Sequence, residues 1–169
     1  MDHQLKNISK SGIAEAIAKV ELYRYLNEPE EAESICGDIL AIEPDHQQAL
    51  RLLGLSITDQ FTGAVTDRYG EVEKIFQSLK DRYQHLYCMG LLCERRAKAQ
   101  LRAGGLPHVL LPLFEEAMRY FGEAEKVRPP GNDDAILRWN RCVRLLQKYP
   151  EIQLEKEYIP FDLSDSPPR

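Results

Sequence analysis

Ala32, Cys36, Ile39 and Pro44 stand at intervals of four, three and five, and Ala117, Phe121, Ala124 and Pro129 repeat those intervals. Steps of three and four put the first three residues of each group on one stripe of an α-helix. The proline cannot continue that helix, because it lacks a backbone N–H and its ring strikes the preceding turn. Each group therefore reads as a helix with a fixed apolar stripe and a fixed stop. The stretch ILAIEPDHQQALRLLGL, residues 39–55, shows what comes next. Asp45 is placed to cap a new helix, with Gln48 three residues on as its capping-box partner. A chain punctuated in this way is committed to piling short helices against one another.

Composition agrees. Residues that favour helices dominate the 169, and valine, isoleucine and threonine are sparse. The length suits one domain that buries roughly 70% of its unfolded surface. The net charge of −5 disfavours nucleic acid, whose binders carry a basic footprint. The N-terminus has no apolar core of signal-peptide type, and no run approaches the roughly 18 apolar residues of a membrane span. No membrane partner and a cytoplasmic location are expected. Cys36, Cys88, Cys93 and Cys142 are dispersed among apolar helical positions, where free cysteine packs as a small hydrophobe. His3, His46, His85 and His108 show no ligand spacing, so neither metal nor cofactor is expected.

Seven helices follow from the periodicity. The first runs from an N-cap at Ser11 to about Leu26, with Ile13, Ala16, Ile17, Val20 and Tyr23 on its stripe. The second is capped by Asn27, has Pro29 in its first turn and Glu30 as capping-box partner, and ends before Pro44. The third starts after Asp45. The fourth carries Val65, Tyr69, Val72, Phe76 and Leu79. The fifth runs from about Gln84 to Ala103 and the sixth from about Pro107 to Val127, separated by AGGLP. The seventh is capped by Asn132 or Asp133 and closes near Pro150. The acidic cluster Glu28, Glu30, Glu31 and Glu33 suits a helix start, where the dipole favours negative charge.

Two further matches set the period. Leu50-x2-Leu53-Gly54-x2-Ile57 corresponds to Leu86-x2-Met89-Gly90-x2-Cys93, and Val72, Phe76 and Leu79 repeat the spacing of Ala32, Cys36 and Ile39. These motifs resemble the tetratricopeptide repeat, W-x2-L-G-x2-Y, then A-x3-F, then P. The first unit keeps Tyr23, Ala32 and Pro44 but has Ala16 and Val20 at the tryptophan and glycine positions. The resemblance implies an all-α, right-handed superhelix of about seven helices within residues 1–150. Its pairs span 13–44, 46–81 and 84–128, with a closing helix at 133–148 and an extended acidic tail at 151–169.

No nucleophile–base pair, metal motif or phosphate loop is visible, so no catalysis is expected. The resemblance implies instead a concave groove that binds a peptide or protein segment. By position, its lining takes in Ile17, Glu21, Arg24, Gln48, Arg51, Leu55, Thr58, Gln84, Tyr87, Leu91, Glu94, Arg95, Arg141 and Arg144. The carboxylate-clamping positions of the family hold Ile17, Glu21 and Leu52, so that clamp is absent. Arg138, Arg141 and Arg144 stand three apart on the last helix, read either as its solvated outer face or as an anion-binding strip, for which the tail EKEYIPFDLSD has the matching acidic and aromatic character. The expected occupant is a protein or peptide, with the chain's own tail and a second copy among the candidates. Self-assembly is the alternative function, because the ends of a short stack expose apolar edges.

Overall fold

The computed structural model describes residues 3–154, all helix and connection without a strand among them. A 3₁₀ turn at Lys10–Gly12 leads into α1 (Ile13–Tyr25), followed by α2 (Pro29–Ile42), α3 (Gln47–Asp59) and α4 (Tyr69–Gln77). Then come α5 (Arg82–Arg102), α6 (Pro107–Lys126), α7 (Asp134–Lys148) and a single turn, α8 (Glu151–Leu154). From α1 to α7 each helix packs against the next, and α8 packs back against α6. In addition, α1 meets α3 and α3 meets α5, so the first helices of successive hairpins stand side by side. This is a helical-repeat arrangement, in which each unit seals its neighbour's apolar side.

The repeat is visible in the packing. A Cβ on Gly54 would lie 2.2 Å from the ring of Phe76, and a Cβ on Gly90 would lie 2.6 Å from the ring of Phe121. In both hairpins a phenylalanine of the second helix presses into the space left by a glycine of the first. In the first hairpin the same positions are held by Val20 and Cys36, both fully buried in one cluster with Ile17, Ala32 and Ile39. A larger residue on one helix is matched by a smaller one on the other.

Several caps differ from the sequence expectation. Ser11 does not cap α1; it lies inside the 3₁₀ turn, and Gly12 holds the cap position. Asn27 does not cap α2. It takes a left-handed φ of 60° and closes α1, donating its N–H to the Arg24 carbonyl while the Glu28 N–H reaches the Tyr23 carbonyl. Asparagine tolerates that conformation better than most residues. At the corner after Pro44 the cap is His46, whose Nδ1 accepts from the Ala49 N–H, not Asp45. Asp45 is drawn away by the Lys80 ammonium and by Gln47. Gln48 accordingly turns to Glu21, at 3.4 Å. At the start of α7, Asp133 holds the cap position while the side chain of Asn132 accepts from the Asp134 N–H.

Two element boundaries also move. Val65 is fully exposed in the connection before α4, because Asp67 folds residues 62–67 into a loop by accepting from the Thr62 and Gly63 N–H groups. An extended tail does not begin at residue 151. Residues 151–154 form α8, whose Ile152 is 1% exposed, beside Leu110 and Leu111 of α6. The reason lies in helix length. α5 and α6 have 21 and 20 residues against 13 and 14 in α1 and α2, and the extra apolar turns need a cover. Residues 155–169, the rest of the expected tail, lie outside the described residues.

Candidate functional site

The face shared by α1, α3, α5 and α7 gathers most of the predicted lining, and ion pairs stitch it across the hairpins. Asp59 ends α3 and stands between two guanidinium groups. Arg24 of α1 donates to it at 2.7 and 3.3 Å, and Arg95 of α5 donates to it at 2.6 Å. Arg95 also donates to the Leu55 carbonyl and the Thr58 hydroxyl, which ties α5 to the end of α3. The three charged side chains are about one-fifth exposed: 20%, 23% and 21% for Arg24, Asp59 and Arg95. Burial pulls the Arg95 guanidinium below its ordinary value, and the Asp59 charge only partly offsets that.

One residue back along α5, Glu94 is fully buried. Lys98 pairs with one of its oxygens, and Arg138 of α7 stands 3.5 Å from the other. Arg138 also hydrogen bonds to Tyr87. Burial acts to lower the Arg138 pKa, but Glu94 and Tyr87 outweigh it and the net shift is upward. Tyr87 is held in turn, stacked on Tyr83 with centroids 5.6 Å apart and tilted against Phe121.

The lining read from the sequence divides accordingly. Leu55 and Leu91, at 5% and 4% exposed, belong to the core and are not accessible lining. Ile17 and Thr58 are buried as well. Glu94 is sealed beneath Lys98 and Arg138. Arg24, Gln48, Arg51, Gln84, Tyr87 and Arg95 remain at or near the surface. The expected strip on α7 is split: Arg138 turns in toward Glu94, while Arg141 and Arg144 stay exposed. Asp59 and Lys98 are the members of this face that position in the sequence did not single out. A charge at the end of a helix gives no local sign of which remote partner it will meet.

Gln47, Gln48, Arg51, Leu79, Asp81 and Gln84 line a recess of about 210 Å³ between the starts of α3 and α5. Small-molecule sites run from about 300 to 1,000 Å³, so this recess suits a single side chain of a larger partner. Arg51 pairs with no carboxylate among the described residues. A more open crevice of about 590 Å³ lies between α6 and α7, by Gly122, Ile136 and Trp139. Its cations are already engaged: Lys126 with Glu123, and Arg128 with Glu125 and Asp133.

All four cysteines are free and buried, and burial pushes the Cys36, Cys88 and Cys142 thiols up to about 12. Among the described residues no group of three or more His, Cys, Asp or Glu side chains stands together to hold a metal. No described helix is long and apolar enough to cross a membrane. No family model, curated protein or solved structure matches the chain.

Proposed function

We propose that the protein is an interaction module, without catalysis, that binds an extended acidic segment of a protein partner along a trough floored by α1, α3, α5 and α7. The observation that carries this reading is a local excess of positive charge in a chain of net charge −5. Arg24, Arg51, Arg95, Lys98 and Arg138 stand there against Glu21, Asp59, Asp81 and Glu94. Guanidinium groups held by neighbouring helices lose little freedom when they take up a carboxylate, and their planar forks donate to it at two points. Arg51 is the least committed of them and opens onto a recess the size of one side chain, flanked by the amides of Gln48 and Gln84. The resemblance to tetratricopeptide repeats supports the same face, and a cytoplasmic setting goes with it.

Fluorescence anisotropy with a labelled 12-residue peptide alternating glutamate and leucine tests the reading. The acidic peptide should bind, weaken as salt is raised, and lose about tenfold in affinity with Arg51→Ala, the loss of one charge-assisted hydrogen bond. A lysine-for-glutamate counterpart should not bind. Equal binding of the two peptides, or no binding of either, rejects the proposal. Residues 155–169 carry Glu155, Glu157, Asp162 and Asp165 among Tyr158, Ile159, Phe161 and Leu163, the composition such a trough selects. Ending the chain at Leu154 should therefore raise the affinity for the acidic peptide.

A further inference from the structure

The outer face of α1 is an unfinished repeat interface. Superposing the close-approach positions Val20, Gly54 and Gly90 makes Ala18 equivalent to Leu52 and Cys88, and Leu22 equivalent to Ser56 and Leu92. Leu52, Ser56, Cys88 and Leu92 are at most 1% exposed. Leu52 packs into the core shared with α1 and α2, and Cys88 and Leu92 into the core shared with α3 and α4. These positions are where each hairpin closes onto the one before it. Among the described residues no hairpin precedes α1, and Leu22 is 51% exposed, Tyr25 87% and Leu26 52%, with Ala14 and Ala18 exposed beside them. At about 100° per residue, Ala14, Ala18, Leu22 and Tyr25 share an arc of about 80°. The exposed outer faces of repeat arrays are ordinarily polar; that of α1 carries an apolar stripe.

We propose that a second copy of the chain covers this stripe, with the two α1 helices antiparallel about a two-fold axis beside residue 20. The stripe is self-complementary in size. Its N-terminal half is small (Ala14, Ala18) and its C-terminal half is large (Leu22, Tyr25). Antiparallel pairing sets Ala18 against the partner's Leu22 and Ala14 beside the partner's Tyr25, twice over by symmetry. Such an interface is isologous and closes at two copies. One helix from each copy buries less than the roughly 1,200 Å² of a standard interface, so the dimer forms in the micromolar range and above. Arg24 and Ile17 lie toward the other edge of α1, which leaves the charged face accessible and makes the dimer independent of the trough reading.

Sedimentation equilibrium of the full chain over a dilution series tests the proposal. The expected result is a monomer–dimer equilibrium that grows no further. Leu22→Glu should raise its dissociation constant by about 100-fold, since the symmetry buries the new charge at two places. Leu137→Glu, on the exposed side of α7, should leave it unchanged. Circular dichroism checks that Leu22→Glu keeps its helix; should it unfold, the register is read by cross-linking. Ala18→Cys and Leu22→Cys chains, mixed and oxidised, should form more disulfide dimer than either alone, the native cysteines being buried. A chain that stays monomeric up to millimolar concentration overturns the proposal. So does growth beyond two copies, dissociation caused by Leu137→Glu, or cross-linking no better in the mixture than in the separate variants.

Discussion

In the α1/α2 hairpin the closest approach is filled by Val20 and Cys36, whereas α3/α4 uses Gly54 with Phe76 and α5/α6 uses Gly90 with Phe121. The backbone geometry is shared and the volume is divided differently. Two helices specify their spacing by the sum of what they place between them, so a repeat can drift at both positions together and keep its fold. It cannot drift at one alone, because a packed interior accepts neither a hole nor a surplus methyl group without cost.

Substitutions across that pair of solutions separate shared volume from residue identity. The largest expected effect is that of Gly54→Val, whose Cβ alone would lie 2.2 Å from Phe76. It should cost about 3 kcal/mol or more in urea unfolding, at the upper end for overpacking. Phe121→Cys, which leaves a cavity, should cost about 3 kcal/mol. Gly90→Val added to it fills part of that cavity and should give a coupling of about 1–2 kcal/mol in the double-mutant cycle, in the favourable direction. An additive double mutant would mean that the two positions do not share one space.

The reverse exchange is milder. Cys36→Phe should lose about 2 kcal/mol, and Val20→Gly should recover about 1 kcal/mol of it, less than the full loss because glycine weakens a helix interior by a similar amount. The charged face behaves otherwise. Asp59→Asn removes the carboxylate between Arg24 and Arg95, and with these groups partly solvated the expected loss is only about 1 kcal/mol. The same change should tighten binding of the acidic peptide, because two guanidinium groups lose their internal partner. Smallest of all is the response of the thiols. With Cys88 and Cys142 raised to about 12, the thiolate lies far above pH 8, and a thiol reagent should label the native protein only as fast as it unfolds.

Much of the architecture was legible. Proline cannot continue a helix, and apolar residues at steps of three and four need a common cover, so the helices and their pairing followed from local rules. Gly54 and Gly90 were marked as sites of close approach by their place in the repeat. The site was half legible. Of the residues read as lining, Arg24, Arg51 and Arg95 stand at or near the surface, but Leu55 and Leu91 are buried by the contact between α3 and α5. Position on a helix tells which way a side chain leaves it, not how near the next helix stands.

The order of helices, their stops and their apolar stripes are properties of the chain itself, since each depends on residues within one or two turns. Tertiary structure decided the polar partners. Asp45, an adequate cap by local rules, is taken by Lys80 from 35 residues away, and His46 caps in its place. Asp59 joins two arginines that stand 35 and 36 residues from it. Ionic and hydrogen-bonding groups act across whatever distance the packing leaves between them, and that distance exists only once the apolar faces have closed.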